Sequence, residues 1–184
     1  MLGRRTERYV HPGGARVRFG QVMQRIVDEK SISFVRSLCM GEIEEQVIVP
    51  YPELADEDRE VLKRLDDPKW FESPETATLL RGVLEPLAAH YFLRARTSKG
   101  RLIDSVARFH LGNGARLERI NWLGDLSPKG VRESAGIMVN YLYRLDDIEK
   151  NHEAYANDGE VVASSAVKKL LKGEGRRLLD MRLS

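Results

Sequence analysis

The sequence predicts an α+β domain: N-terminal helices, then a small antiparallel sheet made of a hairpin and one further strand, then C-terminal helices. Apolar residues fall at helical spacing before Gly100, alternate with a period of two after it, and return to helical spacing beyond Asp146. The chain has 184 residues, enough for one ordinary domain with appendages. It divides into an N-terminal arm and helix over 1–44, a domain over 45–172, and a basic tail over 173–184.

The elements follow in order. Residues 1–16 are basic, carry Gly13-Gly14 after Pro12, and read as a loose arm. Phe19, Val22, Met23, Ile26 and Val27 predict an amphipathic helix over 17–29. Residues 31–50 admit two readings: a helix through Ile32, Phe34, Val35 and Leu38, or a short strand at Val47-Ile48-Val49 before Pro50. Residues 56–65 predict a short helix with acids in its first turn, where they favour the dipole, ended by Asp67-Pro68. Ser73 as N-cap and Pro74 at the first helical position open the next one. Its stripe is Leu79, Leu80, Val83, Leu84, Leu87 and Tyr91, and Pro86 inside it should kink or split the helix. The run closes at Ser98-Lys99-Gly100.

Val106, Arg108 and His110 then alternate with Ala107, Phe109 and Leu111, which predicts a strand. Asn113-Gly114 suits a tight hairpin, because both residues tolerate positive φ. The partner strand runs from Arg116 to Leu123, with Glu118, Ile120 and Trp122 on one face and Leu117, Arg119 and Asn121 on the other. Ser127-Pro128 starts a short helix to about Ala135, and a third strand spans Gly136 to Tyr143. Asp146-Asp147 opens a helix through Tyr155, Asn157-Asp158-Gly159 turns, and Glu160 to Lys172 forms the last helix.

Composition excludes several function classes. Lys and Arg total 30 against 28 Asp and Glu, a net charge of +2, which argues against a dedicated nucleic-acid binder. No apolar run approaches the roughly 18–20 residues that cross a bilayer, and no apolar leader segment follows Met1. A soluble, cytoplasmic protein is expected. Cys39 is the only cysteine, which excludes an internal disulfide and a cysteine-based zinc site.

The remaining chemistry concentrates on few residues. His11, His90, His110 and His152 show no metal-binding spacing, so no metal or other cofactor is expected. Glu149, Asn151 and His152 read as a solvated helix face, Cys39 as a small hydrophobe, and His90 as a structural histidine. Lys168, Lys169, Lys172, Arg176 and Arg177 read as a solvated helix end. His110, just before a tight turn, is placed to face a cleft and to transfer protons near neutrality. Spacing alone leaves it open between structural and functional roles.

The stretch VARFHLGNGA at 106–115, LERINWLG at 117–124 and SAGIMVNYLY at 134–143 resembles the C-terminal part of malonyl-CoA decarboxylases. The likeness continues over LDDIEKNHEAY at 145–155 and ASSAV at 163–167, and more weakly over 65–93. It implies the C-terminal half of an acyl-CoA N-acyltransferase fold, with malonyl-CoA as substrate and acetyl-CoA and CO2 as products. It also implies His110 as proton donor to the enolate, Tyr143 lining the same site, and Asn113 and Asn140 as substrate contacts. Asn140 ranks below Tyr143, since regular alternation puts it on the opposite strand face.

The family's serine, in a Ser-Pro-x-Pro-Gly-Phe segment, has no counterpart here: Ser127-Pro128 continues as Lys-Gly, and Ser37 lies in FVRSLCMG. The pyrophosphate-holding turn and the helical oligomerisation domain are also without counterparts. The resemblance therefore implies a shortened decarboxylase with weak or no activity alone, forming homo-oligomers or pairing with the missing N-terminal half. A shortened but working enzyme and a non-catalytic scaffold derived from the family are the alternatives.

Overall fold

The computed structural model describes residues 8–10, 47–48, 54–97 and 99–171, with the backbone alone at 8–10, 47–48 and 133. The expected helix over 17–29, the helical alternative at 32–38, Ser37, Cys39 and the tail lie outside the described residues.

The first helix, α1 (Asp56–Leu62), carries Asp56, Glu57 and Asp58 in its first turn and continues as a 3-10 turn over Lys63–Asp66. After a second such turn at Trp70–Glu72, Ser73 opens α2 (Pro74–Leu93), its hydroxyl oxygen accepting from the Thr76 N–H at 3.3 Å. Pro86 does not split this helix. Leu80 and Leu84 before it, and Leu87 and Tyr91 after it, are buried in one core. Their shared burial outweighs one lost backbone bond and the crowding of the Gly82 carbonyl.

The sheet corrects the sequence reading in two places. Residues 106–111 are not the first strand of a hairpin but the middle of a helix, α3 (Ser105–Gly112). Asp104 is its N-cap and Ala107, His110 and Leu111 form its buried stripe, at helical spacing. The alternation read there as a strand coincided with this stripe in a run too short to separate the two periods. The three-stranded antiparallel sheet has the order β1 (Arg8–Val10), β5 (Met138–Leu142), β4 (Arg116–Asn121). So β4 pairs with the predicted third strand, and Arg8–Val10, read as part of a loose arm, pairs with β5 from its other side. A second pairing joins β2 (Val47–Ile48), the strand alternative for 31–50, to β3 (Arg96–Thr97).

Between Leu117 and Arg119 the register shifts by one residue, a bulge at Glu118. It lets Leu117 and Ile120 both face the core, which strict alternation forbids. The short helix α4 (Pro128–Ser134) and the longer α5 (Ile148–Asp158) stand where predicted, and Gly159 ends α5 at φ +64°. The last helix, α6 (Ser165–Leu170), is shorter than expected. Residues 161–164 instead run along the free side of β4: Leu117 N–H donates to Val162 O and Ser164 N–H to Leu117 O, both at 2.9 Å. Val161 and Ala163 are buried alternately, as an edge segment requires.

Candidate active site

The site is built on the end of α3. Asp104 is buried, and its Oδ1 accepts the Ala107 N–H at 2.7 Å, fixing the helix start. At the other end Gly114 takes φ +80° while Asn113 keeps φ −96°. Ala115 N–H donates to the His110 carbonyl and Gly114 N–H to the Leu111 carbonyl, each at 3.0 Å. This paired closure is a glycine-terminated helix end. Asn-Gly therefore stops a helix here rather than turning a hairpin, and only the glycine needs a positive φ. A Cβ on Gly114 would lie 2.3 Å from the Ile148 carbonyl oxygen, so the start of α5 abuts the turn.

His110 is 4% exposed. Its Nδ1 lies 2.9 Å from the Tyr143 hydroxyl, which is also 3.5 Å from the His110 carbonyl oxygen. The imidazole stacks on the Tyr141 ring, with centroids 4.5 Å apart and planes 17° off parallel. Phe109 meets it edge-on at 5.3 Å and is itself 64% exposed. Burial raises the Tyr143 phenol pKa. Burial pushes Tyr141 up well beyond the usual range, with nearby Asp104 and Tyr143 adding to it. Both phenols hold their protons at neutral pH.

His110 and Tyr143, singled out in the sequence, are thus brought together, on a helix and a strand end rather than on two strands. Asn113 is exposed and caps α3 through its backbone N–H, 3.1 Å from the Phe109 carbonyl and 3.2 Å from that of His110. Asn140 lies on the β5 face opposite Tyr141 and Tyr143, as alternation requires. Its Oδ1 accepts from Asn121 Nδ2, whose own Oδ1 accepts from Arg119 Nε.

Two contributors were missed. Tyr141, given no role by the sequence beyond its place in the third strand, is the surface against which His110 stacks. Asn151, read as part of a solvated helix face, is 6% exposed and donates from Nδ2 to the Gly114 carbonyl at 3.1 Å. Its spacing from Ile148 and Tyr155, three and four residues away, put it on the inward stripe of α5 and was the available signal. Exposed His152 places Nδ1 2.6 Å from the Gly112 carbonyl oxygen.

His90 is buried on α2, its pKa lowered first by desolvation and then by Arg94. Ser127 caps α4, accepting the Gly130 N–H at 3.0 Å. Among the described residues no group of three or more His, Cys, Asp or Glu is arranged to hold a metal, and no helix is long and apolar enough to cross a membrane. A groove of about 600 Å³ lies between the Trp70–Glu72 turn and α4, lined by Phe71, Leu126, Val131 and Arg132 among others. Trp70 packs on Trp122, beyond the Asn121–Met138 end of the strand pair, whereas His110 sits by the Leu117–Tyr141 end.

Comparison with known proteins now bears on this geometry. The family model described as malonyl-CoA decarboxylase C-terminal domain matches residues 33–181. Crystal structures of malonyl-CoA decarboxylase from Agrobacterium vitis and Rhodopseudomonas palustris are 46% and 42% identical, with TM-scores of 0.74 and 0.73. They cover 92% and 90% of this chain, which covers 36% and 33% of theirs. Curated relatives described as mitochondrial malonyl-CoA decarboxylases include that of Anser anser anser, 42% identical over 61% of this chain, and that of Rattus norvegicus, 38% over 58%. The chain spans 22% of the length of each. With the matched stretch containing the whole His110–Tyr143 arrangement, the chain belongs to the malonyl-CoA decarboxylase family, as its C-terminal domain.

Proposed function

We propose that this chain supplies the proton-donating half of a malonyl-CoA decarboxylase site, with His110 as the donor and Tyr143 as its orienting partner. The observation that carries the reading is the 2.9 Å contact between His110 Nδ1 and the Tyr143 hydroxyl, on a ring stacked against Tyr141. Loss of CO2 breaks the bond between C2 and the carboxylate carbon, and its electron pair passes into a thioester enolate. The imidazolium then gives its Nε2 proton to C2, leaving acetyl-CoA and a neutral imidazole protonated at Nδ1. That Nδ1–H donates to the Tyr143 oxygen. Tyr143, kept protonated by burial, directs its own O–H toward the His110 carbonyl. Asn113, exposed at the end of α3, and Asn140, from the other face of β5, are proposed as further substrate contacts, and no cofactor is proposed.

The enolate oxygen needs donors as well, and the family's Ser-Pro-x-Pro-Gly-Phe segment does not occur in these 184 residues. We therefore infer weak or no turnover by the chain alone, and activity in the cytoplasm when it self-associates or pairs with a chain carrying that segment. A monodisperse monomer in solution scattering would count against the pairing.

Purified, folded chain would be incubated with malonyl-CoA, alone and with the preceding part of a relative, and acetyl-CoA measured. Turnover is expected in the mixture, and His110→Ala should lower it by about 10²–10⁴-fold, the usual worth of a positioned acid. Turnover indifferent to His110→Ala, or none in either sample, removes the reading.

A further inference from the structure

We propose that Asn151 is a positioning residue for His110, acting through the one peptide group that joins Gly114 to Ala115. The Asn151 amide, buried on the inward stripe of α5, donates to the Gly114 carbonyl at 3.1 Å. The N–H of that same peptide group, on Ala115, donates to the His110 carbonyl at 3.0 Å. Grasping the carbonyl end of a planar group fixes the direction of its N–H end. Asn151 therefore sets the bond that closes the last turn of α3 over His110, and the Tyr143 hydroxyl lies beside both that carbonyl and Nδ1. Polarisation of the shared peptide group adds to the effect, since donating to its oxygen makes its N–H a better donor.

The backbone bonds that close α3 hold the turn from within, and Asn151 is the described side chain that holds the Gly114 carbonyl. Gly114 has the Ile148 backbone against it and no side chain of its own. Asn113 is exposed. His152 grips the neighbouring Gly112 carbonyl, which belongs to a different peptide group. Loss of the Asn151 donor thus leaves the buried Gly114 carbonyl without that bond and loosens the Gly114–Ala115 peptide, and with it the carbonyl and ring of His110.

The inference rests on reading His110 as the proton donor, but its test does not require turnover. In the full chain labelled with ¹⁵N-histidine, His110 is assigned by its loss in His110→Gln. Asn151→Leu removes the donor at similar volume. At a pH where the ring is neutral, the expected result is that the difference between the two ring-nitrogen shifts of His110 shrinks toward that of a freely exchanging imidazole. The His90 signals and the circular dichroism should stay as in the wild type. An unmoved His110 signal alongside a lowered melting temperature would overturn the proposal and leave Asn151 as a fastener of α5. Should Asn151→Leu not fold, Asn151→Ser, too short to reach Gly114, is judged by the same signal. In an active assembly the change should lower kcat about tenfold with KM within twofold. Absence of turnover in the wild type would fall on the decarboxylase reading alone.

Discussion

The Tyr143 hydroxyl faces two groups of one residue, the His110 Nδ1 at 2.9 Å, from which it accepts in the proposed mechanism, and the His110 carbonyl oxygen at 3.5 Å, to which it donates, and burial keeps it protonated. Removing that oxygen leaves the imidazole stacked on Tyr141 but unrestrained about its ring axis. Tyr143→Phe should therefore lower kcat in an active assembly by about 10–100-fold, with KM changed little, because the lost interaction acts on the proton donor rather than on the bound thioester. An effect confined to KM would place the phenol against substrate instead. At this scale the sequence was most informative where a resemblance named the residues. His110 and Tyr143 stand 33 positions apart, and no local pattern joins them. The burial of Asn151, by contrast, could be read from its spacing, and was missed because asparagine is ordinarily a surface residue.

Helix α3 shows why the local prediction failed although the sequence carries the punctuation of a helix. Asp104 and Asn113-Gly114 are a helix start and a helix stop, and eight residues lie between them. Gly114 needs a positive φ in either reading, so the glycine did not discriminate between hairpin and helix end. What decides is packing: Ala107, His110 and Leu111 fill one side, whereas a strand would have buried Phe109 with Ala107 and Leu111. The same element carries two stability expectations. Asp104→Ala removes the Ala107 cap and should cost about 1–2 kcal/mol. Gly114→Ala meets both a left-handed backbone and the Ile148 carbonyl, and should cost about 2 kcal/mol or more. Denaturant unfolding with unchanged slope measures both, and a Gly114→Ala midpoint equal to wild type would mean the turn is not built as described. The last helix makes the complementary point: its first residues are drawn out along β4 by bonds to Leu117, a tertiary demand that periodicity over 160–172 does not register.

At the scale of the described residues together, the shifts of the buried histidine and tyrosines follow burial, and they give the fold two limbs of pH dependence. His90 lies among the buried residues of α2 with its pKa lowered by desolvation and by Arg94. The unfolded chain therefore takes up that proton more readily than the folded one. Stability is full above the ordinary histidine value of about 6.5 and is lost as pH falls through the depressed folded value. Tyr141, Tyr143 and Tyr155 are raised, each by burial first. Their contribution is full below the ordinary tyrosine value of about 10 and is lost as pH rises through the raised values. These groups sit in α2, in and just after β5, and in α5, so both limbs report the assembly of helices on the sheet rather than any one element. The melting temperature of the full chain should therefore peak near neutrality and fall on both sides. His90→Gln, which carries no titrating group, should flatten the fall between pH 7 and 5 while leaving the alkaline limb unchanged. An acid limb of the same steepness in that variant would move its origin from the buried histidine to the carboxylates.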